Sequence, residues 1–91
     1  MRDVAKIDDN QPDVIRALRK IGASVEVIGK PLDLLVGYRG VNYILEVKNP
    51  FGRNRLTKEQ AEFMATWNGS FAVVHNTQEA LTAVLGVDVM K

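Results

Sequence analysis

YILEVKNPFGRNRLTKEQ, residues 43–60, sets out a strand, a loop and a helix in one run, and the neighbouring elements follow from it. Side chains alternate across a strand, so Glu46 and Lys48 share one face with Ile44, while Tyr43, Leu45 and Val47 take the other. A strand built only for packing would carry neither charge. The loop NPFGRNR that follows is basic and contains Gly52. Thr57, with Gln60 three residues on, forms a capping box that opens a helix running to about Trp67, and Asn68-Gly69 closes it.

Upstream, Asp9 or Asn10 is the expected N-cap of a first helix, with Pro12 in its first turn. Val14, Ile15, Leu18 and Ile21 recur at helical spacing as far as Gly22. ASVEVI then alternates as a strand, broken by Gly29, Lys30 and Pro31. DLLVGY and VNYILEVK are two further strands, joined through a tight hairpin at Arg39-Gly40. Downstream, SFAVVH reads as a fourth strand, and Thr77 as the cap of a last helix carrying Ala80, Leu81, Val84 and Leu85 up to Gly86. The order is αβββαβα in one domain over residues 1–91. The helix between the third and fourth strands serves as a crossover, which makes those two parallel within a mixed sheet.

Ninety-one residues, 46% hydrophobic and 25% charged, are ordinary for one globular domain. The absence of cysteine excludes a disulfide framework and a cysteine-ligated metal. MRDVAKIDDN lacks the apolar segment of a signal peptide, and no apolar run approaches the roughly 18 residues of a membrane span. The expected setting is the cytoplasm of a bacterium or a phage-infected cell, with no membrane partner. A net charge of +1 does not announce a nucleic-acid binder. From Lys48 to Lys58, however, the chain carries Lys48, Arg53, Arg55 and Lys58 with no acid.

Asp33 starts the strand before Glu46, and a hairpin about Arg39-Gly40 pairs the two closely. Opposed side chains on neighbouring strands stand about 5 Å apart. Two carboxylates that close repel unless a cation lies between them. Mg²⁺ takes oxygen ligands, often one or two carboxylates completed by water and phosphate. Bound there, it lowers the pKa of a water and stabilises charge on phosphate, and Lys48 would orient that water or neutralise the phosphate. The alternative is a cross-strand Glu–Lys pair at a sheet rim, with Asp33 merely opening a strand after Pro31.

Asp33…Glu46-Val47-Lys48 resembles the PD-(D/E)xK nuclease motif, and the order αβββαβ is similar to that superfamily's core. The closer resemblance is to the virus-type replication-repair nucleases (the VRR-NUC family) and to small archaeal Holliday-junction resolvases. QPDVIRALRKIG from Gln11 is similar to the helix that precedes the motif there, and LTKEQ from Leu56 to the segment that follows it. The resemblance spans about residues 8 to 86. It implies an α/β (α+β) restriction-endonuclease-like fold: a mixed four-stranded sheet flanked by helices, with a C-terminal helix added.

The resemblance also implies a Mg²⁺- or Mn²⁺-dependent endodeoxyribonuclease in DNA replication, recombination or repair. Such an enzyme acts on branched, junction or duplex DNA and pairs as a homodimer. Asp33, Glu46, Lys48 and Gln60 are then the catalytic set. Asp33, Glu46, the backbone carbonyl of Val47 and, more weakly or indirectly, Gln11 are then the metal ligands. Gln60 has a second reading, since the capping box alone accounts for it. Gln11 stands where the resembled families carry glutamate, which keeps an oxygen and loses a charge. In K-P-L-D, Leu32 occupies their proline slot. Arg53, Arg55, Lys58, Lys30 and Arg39 are the candidate backbone-phosphate contacts, the alternative being a solvated loop. His75, the only histidine, reads as a strand-end residue, and Phe63, Trp67 and Phe71 read as core. The competing functions are a non-catalytic DNA-binding module on the same fold and a plain interaction domain.

Overall fold

A computed structural model of the chain describes residues 10–49 and 55–86. The elements run α1 (Gln11–Lys20), β1 (Ser24–Val27), β2 (Leu34–Tyr38), β3 (Val41–Val47), α2 (Lys58–Thr66), β4 (Phe71–Val74) and α3 (Thr77–Leu85). The architecture is α+β: one mixed sheet in the order β1-β2-β3-β4, flanked by helices. β1 and β3 each pair antiparallel with β2, and β4 lies parallel to β3 across the α2 crossover.

The turn between β2 and β3 falls at Arg39 and Gly40, with φ of 52° and 83°. Two successive positive φ values are those of the hairpin turn whose twist matches its strands. This turn fixes the register, in which Leu34 pairs with Leu45 and Val36 with Tyr43. That in turn decides which side chains are buried. Leu34, Val36, Leu45, Val47, Val25 and Val74 all face one layer, where they meet Val14 and Leu18 of α1 and Ala80 and Val84 of α3. Each fully buried Leu or Val in this layer contributes about 1.5–3 kcal/mol. Leu32, in the slot where the resembled pattern has proline, is also fully buried.

α1 ends in a Schellman motif. Gly22 at φ 97° lets its own N–H reach the Arg19 carbonyl and the Ala23 N–H reach that of Leu18. The cap of α3 is one residue earlier than expected: Asn76 is the N-cap, accepting from the Glu79 N–H at 2.7 Å, and Thr77 is the first helical residue. Glu79 in turn takes the His75 N–H at 2.8 Å and the His75 ring Nδ1 at 2.9 Å. The ring bond and then the backbone bond hold the Glu79 carboxyl below its ordinary value.

α2 lies over the opposite face of the sheet and buries none of its residues completely. That explains a second departure. Phe63 stacks on Trp67 at 5.1 Å and meets Phe71 edge-on at 6.5 Å, but Trp67 stays 43% exposed and Phe71 37%. With α1 and α3 filling the core layer, these three rings form a surface cluster instead of core. None of the described helices is long and apolar enough to cross a membrane.

Candidate functional site

The second face of the sheet carries the charges that the strand pattern places there. Asp33 immediately precedes β2, and Glu46 is the last residue but one of β3. The β2–β3 ladder ends at the Leu34–Leu45 pair, and Asp33 lies one residue beyond it, near enough for its charge to act on the Glu46 carboxyl. Asp33 is fixed on three sides. Its N–H donates to the Leu45 carbonyl at 3.0 Å, and its own carbonyl accepts from the N–H groups of Ile28 and Gly29 at 2.9 and 3.2 Å. Its carboxylate Oδ2 accepts the Val47 N–H at 2.8 Å, taking the place of a ladder bond at the end of the strand.

Glu46 is buried, with 4% of its surface exposed. Its Oε2 accepts from Gln60 Nε2 at 2.8 Å and pairs with Lys48 Nζ at 3.1 Å. Among the described residues its Oε1 is buried with no partner. Burial pushes the Glu46 carboxyl up, and the nearby Asp33 charge adds to this; Lys48 and Gln60 oppose it. Two carboxylates against one ammonium leave a net negative charge in a largely desolvated spot. An unsatisfied buried polar atom costs about 1–3 kcal/mol, and more for a charged group.

Gln60 makes the capping box and also bonds Glu46. Its Oε1 accepts the Thr57 N–H at 3.1 Å, while Thr57 Oγ1 accepts the Gln60 N–H at 3.1 Å, which completes the capping box. The same Oε1 lies 3.4 Å from Lys48 Nζ, and the amide nitrogen serves Glu46. The start of α2 and the buried carboxylate are therefore held by one side chain.

The other candidates divide. Lys48 joins the acids, and Val47 lies between Glu46 and Lys48 with its N–H committed to Asp33. Gln11 is buried at the start of α1, where it lines a groove with Pro12, Ile15, Arg16, Arg19 and Val27. Among the described residues no hydrogen bond joins it to Asp33 or Glu46. Lys30 is exposed and close by, lining a cleft that Gln60 also lines. Arg55 and Lys58 are exposed just before and at the start of α2. Arg39 is at the far end of the hairpin, roughly 17 Å from Glu46 along β3 at the usual rise per residue, with its guanidinium 5.2 Å from the Tyr38 ring centre. Arg53 and Gly52 lie outside the described residues.

One contributor escapes the sequence pattern. Asn10 flanks α1 as expected, but its side chain makes no cap bond. Its Nδ2 donates instead to the Lys48 carbonyl at 3.1 Å and the His75 carbonyl at 2.7 Å. The start of α1 is thereby tied to the ends of β3 and β4, directly behind the lysine. Only the identity of a capping residue was visible in sequence; nothing local signalled partners 38 and 65 positions away.

Among the described residues, no group of three or more His, Cys, Asp and Glu converges as a metal cage. The donor set is two carboxylates, one with a buried unpartnered oxygen. These oxygen donors could hold a hard cation such as Mg²⁺, which completes its shell with water. No family model matches the chain, and no curated protein or solved structure is significantly similar to it.

Proposed function

We propose that the chain is a divalent-metal-dependent DNA endonuclease with a PD-(D/E)xK core of the VRR-NUC kind, acting on branched or junction DNA. The observation that carries this reading is a buried Glu46, within electrostatic reach of Asp33, whose Oε1 has no partner among the described residues, with Lys48 at 3.1 Å from the other oxygen. A plain rim ion pair would be exposed and would leave no buried oxygen orphaned.

In this reading Asp33 and Glu46 would hold Mg²⁺ or Mn²⁺, with the Val47 carbonyl as a further oxygen. Bound there, the ion would lower the pKa of a water and supply positive charge at the phosphate. Lys48 neutralises a non-bridging phosphate oxygen and holds the attacking water by hydrogen bond. Gln60 holds the Glu46 carboxylate through Oε2, which leaves Oε1 available as a ligand. Hydrolysis adds the water oxygen to phosphorus and breaks the bond to the leaving sugar oxygen, which takes up a proton from solvent. Lys30, Arg55 and Lys58 hold flanking phosphates without reading sequence. A second copy of the chain completes the grip on a branched substrate.

The test is incubation of the protein with junction, flap and plain duplex DNA, with and without Mg²⁺ or Mn²⁺. Metal-dependent cleavage that Glu46→Ala abolishes is the expected result. Cleavage by Glu46→Ala at the wild-type rate overturns the assignment. The second reading, a DNA-binding module without catalysis, is favoured by Gln11, uncharged and without a bond to the acids. Salt-dependent DNA affinity with no Mn²⁺ uptake at millimolar metal selects it.

A further inference from the structure

A cleft of about 410 Å³ opens between Gly29, Lys30 and Pro31 on one side and Thr57, Glu59 and Gln60 on the other. Each wall is anchored to a different member of the acid pair. The Gly29 N–H bonds the Asp33 carbonyl at 3.2 Å and the neighbouring Ile28 N–H bonds it at 2.9 Å. On the opposite side, Gln60 reaches from the α2 capping box to Glu46 at 2.8 Å. Neither acid lines the cleft, but a lining residue on each side bonds one of them, so the cleft neighbours a phosphate placed at Asp33 and Glu46.

We infer that the cleft seats the nucleotide next to the scissile phosphate in an unpaired state, so that the enzyme selects DNA carrying an unpaired nucleotide at the cut. The inference rests on the endonuclease reading above and adds the structural feature of DNA that the site recognises. The volume falls in the range of pockets that hold one small ligand, the size of a single nucleotide. Pro31 offers an apolar surface for a base. Lys30 is the cation on that wall for its phosphate. Glu59, on the facing wall, offers a carboxylate to accept from base amino groups and repels a second phosphate. Selection by structure then arises from the cost of unpairing, which is smallest where a base is already free.

The experiment measures kcat/KM with the full chain and Mg²⁺ on matched substrates: a perfect duplex, and the same duplex with one unpaired nucleotide at the cut. Wild type is expected to prefer the second at least tenfold. Lys30→Glu and the cleft-filling Glu59→Trp are each expected to bring that ratio close to one. Both positions are exposed, and an unchanged thermal melting curve confirms that each variant is folded. Binding of the two DNAs in Ca²⁺, with 2-aminopurine as the unpaired base, gives a second readout: the emission change seen with wild type should be lost in both variants. A wild-type ratio near one, or a tenfold ratio retained by both variants, overturns the cleft assignment while the endonuclease reading stands. No cleavage of any substrate overturns both.

Discussion

Gln60 donates to Glu46 Oε2 at 2.8 Å while its carbonyl oxygen accepts the N–H of Thr57, so one amide closes a helix cap and holds a buried carboxylate. The two roles are separable by substitution. Gln60→Glu keeps the capping box, because glutamate serves equally at that position. It also sets a second carboxylate against Glu46. Stability at neutral pH should fall by about 1–3 kcal/mol, as expected when a buried charged group loses its donor, and the loss should shrink in acid, where the two carboxylates share a proton. Gln60→Ala removes the side-chain half of the capping box as well, while Thr57 Oγ1 keeps the residue-60 N–H, and its deficit should persist at low pH. Denaturant midpoints of the three proteins across pH distinguish these outcomes.

How much of this was legible in the sequence follows from where the information lies. The αβββαβα order, the Arg39-Gly40 hairpin and the Thr57–Gln60 box are local signals of spacing and turn chemistry, and the structure has all three. The nearness of Asp33 to Glu46 is readable from one turn position plus the period of two, and the Asp33 charge does act on Glu46. The cap of α3 was misplaced because Asn76 and Thr77 are both good capping residues, and the position of Glu79 decides between them. The aromatic trio was misjudged because periodicity reports that a helix has an apolar side, not which layer that side meets. The cleft and the Asn10 tie depend on segments distant in sequence, which no local pattern encodes.

Burial raises the Glu46 pKa in the folded chain, and this fixes a sign. From the ordinary value of 4.5 upward, the unfolded chain releases this proton before the folded one does. The unfolded state then binds fewer protons, so stability falls as pH rises through the folded value. Glu46→Gln removes that slope while keeping the side chain's size. The variant is expected to gain on wild type as pH increases toward neutral in urea unfolding without metal. A wild-type stability that climbs over this interval, with Glu46→Gln losing ground, contradicts the assignment.

Divalent metal should reverse the penalty. If Asp33 and Glu46 hold the ion, Mn²⁺ at a hundredfold excess over its dissociation constant stabilises the fold by about 2.7 kcal/mol. Binding also releases a proton wherever Glu46 is still partly protonated. Calorimetric titration in two buffers of different ionisation heat measures that proton directly. Asp33→Asn and Glu46→Gln should each reduce the thermal shift by most of its size. Equal shifts in wild type and both variants would place the metal elsewhere.

Asn10 offers a sharper test of the architecture behind Lys48. As an ordinary N-cap it would tolerate aspartate, which ranks with asparagine at that position. Here, however, its amide donates to the carbonyls of Lys48 and His75. A carboxylate in its place has no hydrogen to give and sets negative charge against two carbonyl oxygens. Asn10→Asp should therefore cost more than Asn10→Ala. The alanine variant loses two hydrogen bonds, about 1–3 kcal/mol in all. Because the tie fixes the backbone at Lys48, both variants should also weaken Mn²⁺ affinity, although neither touches a carboxylate. If Asn10→Asp proves as stable as wild type, the side chain is acting as a helix cap and the ends of β3 and β4 are held by other means.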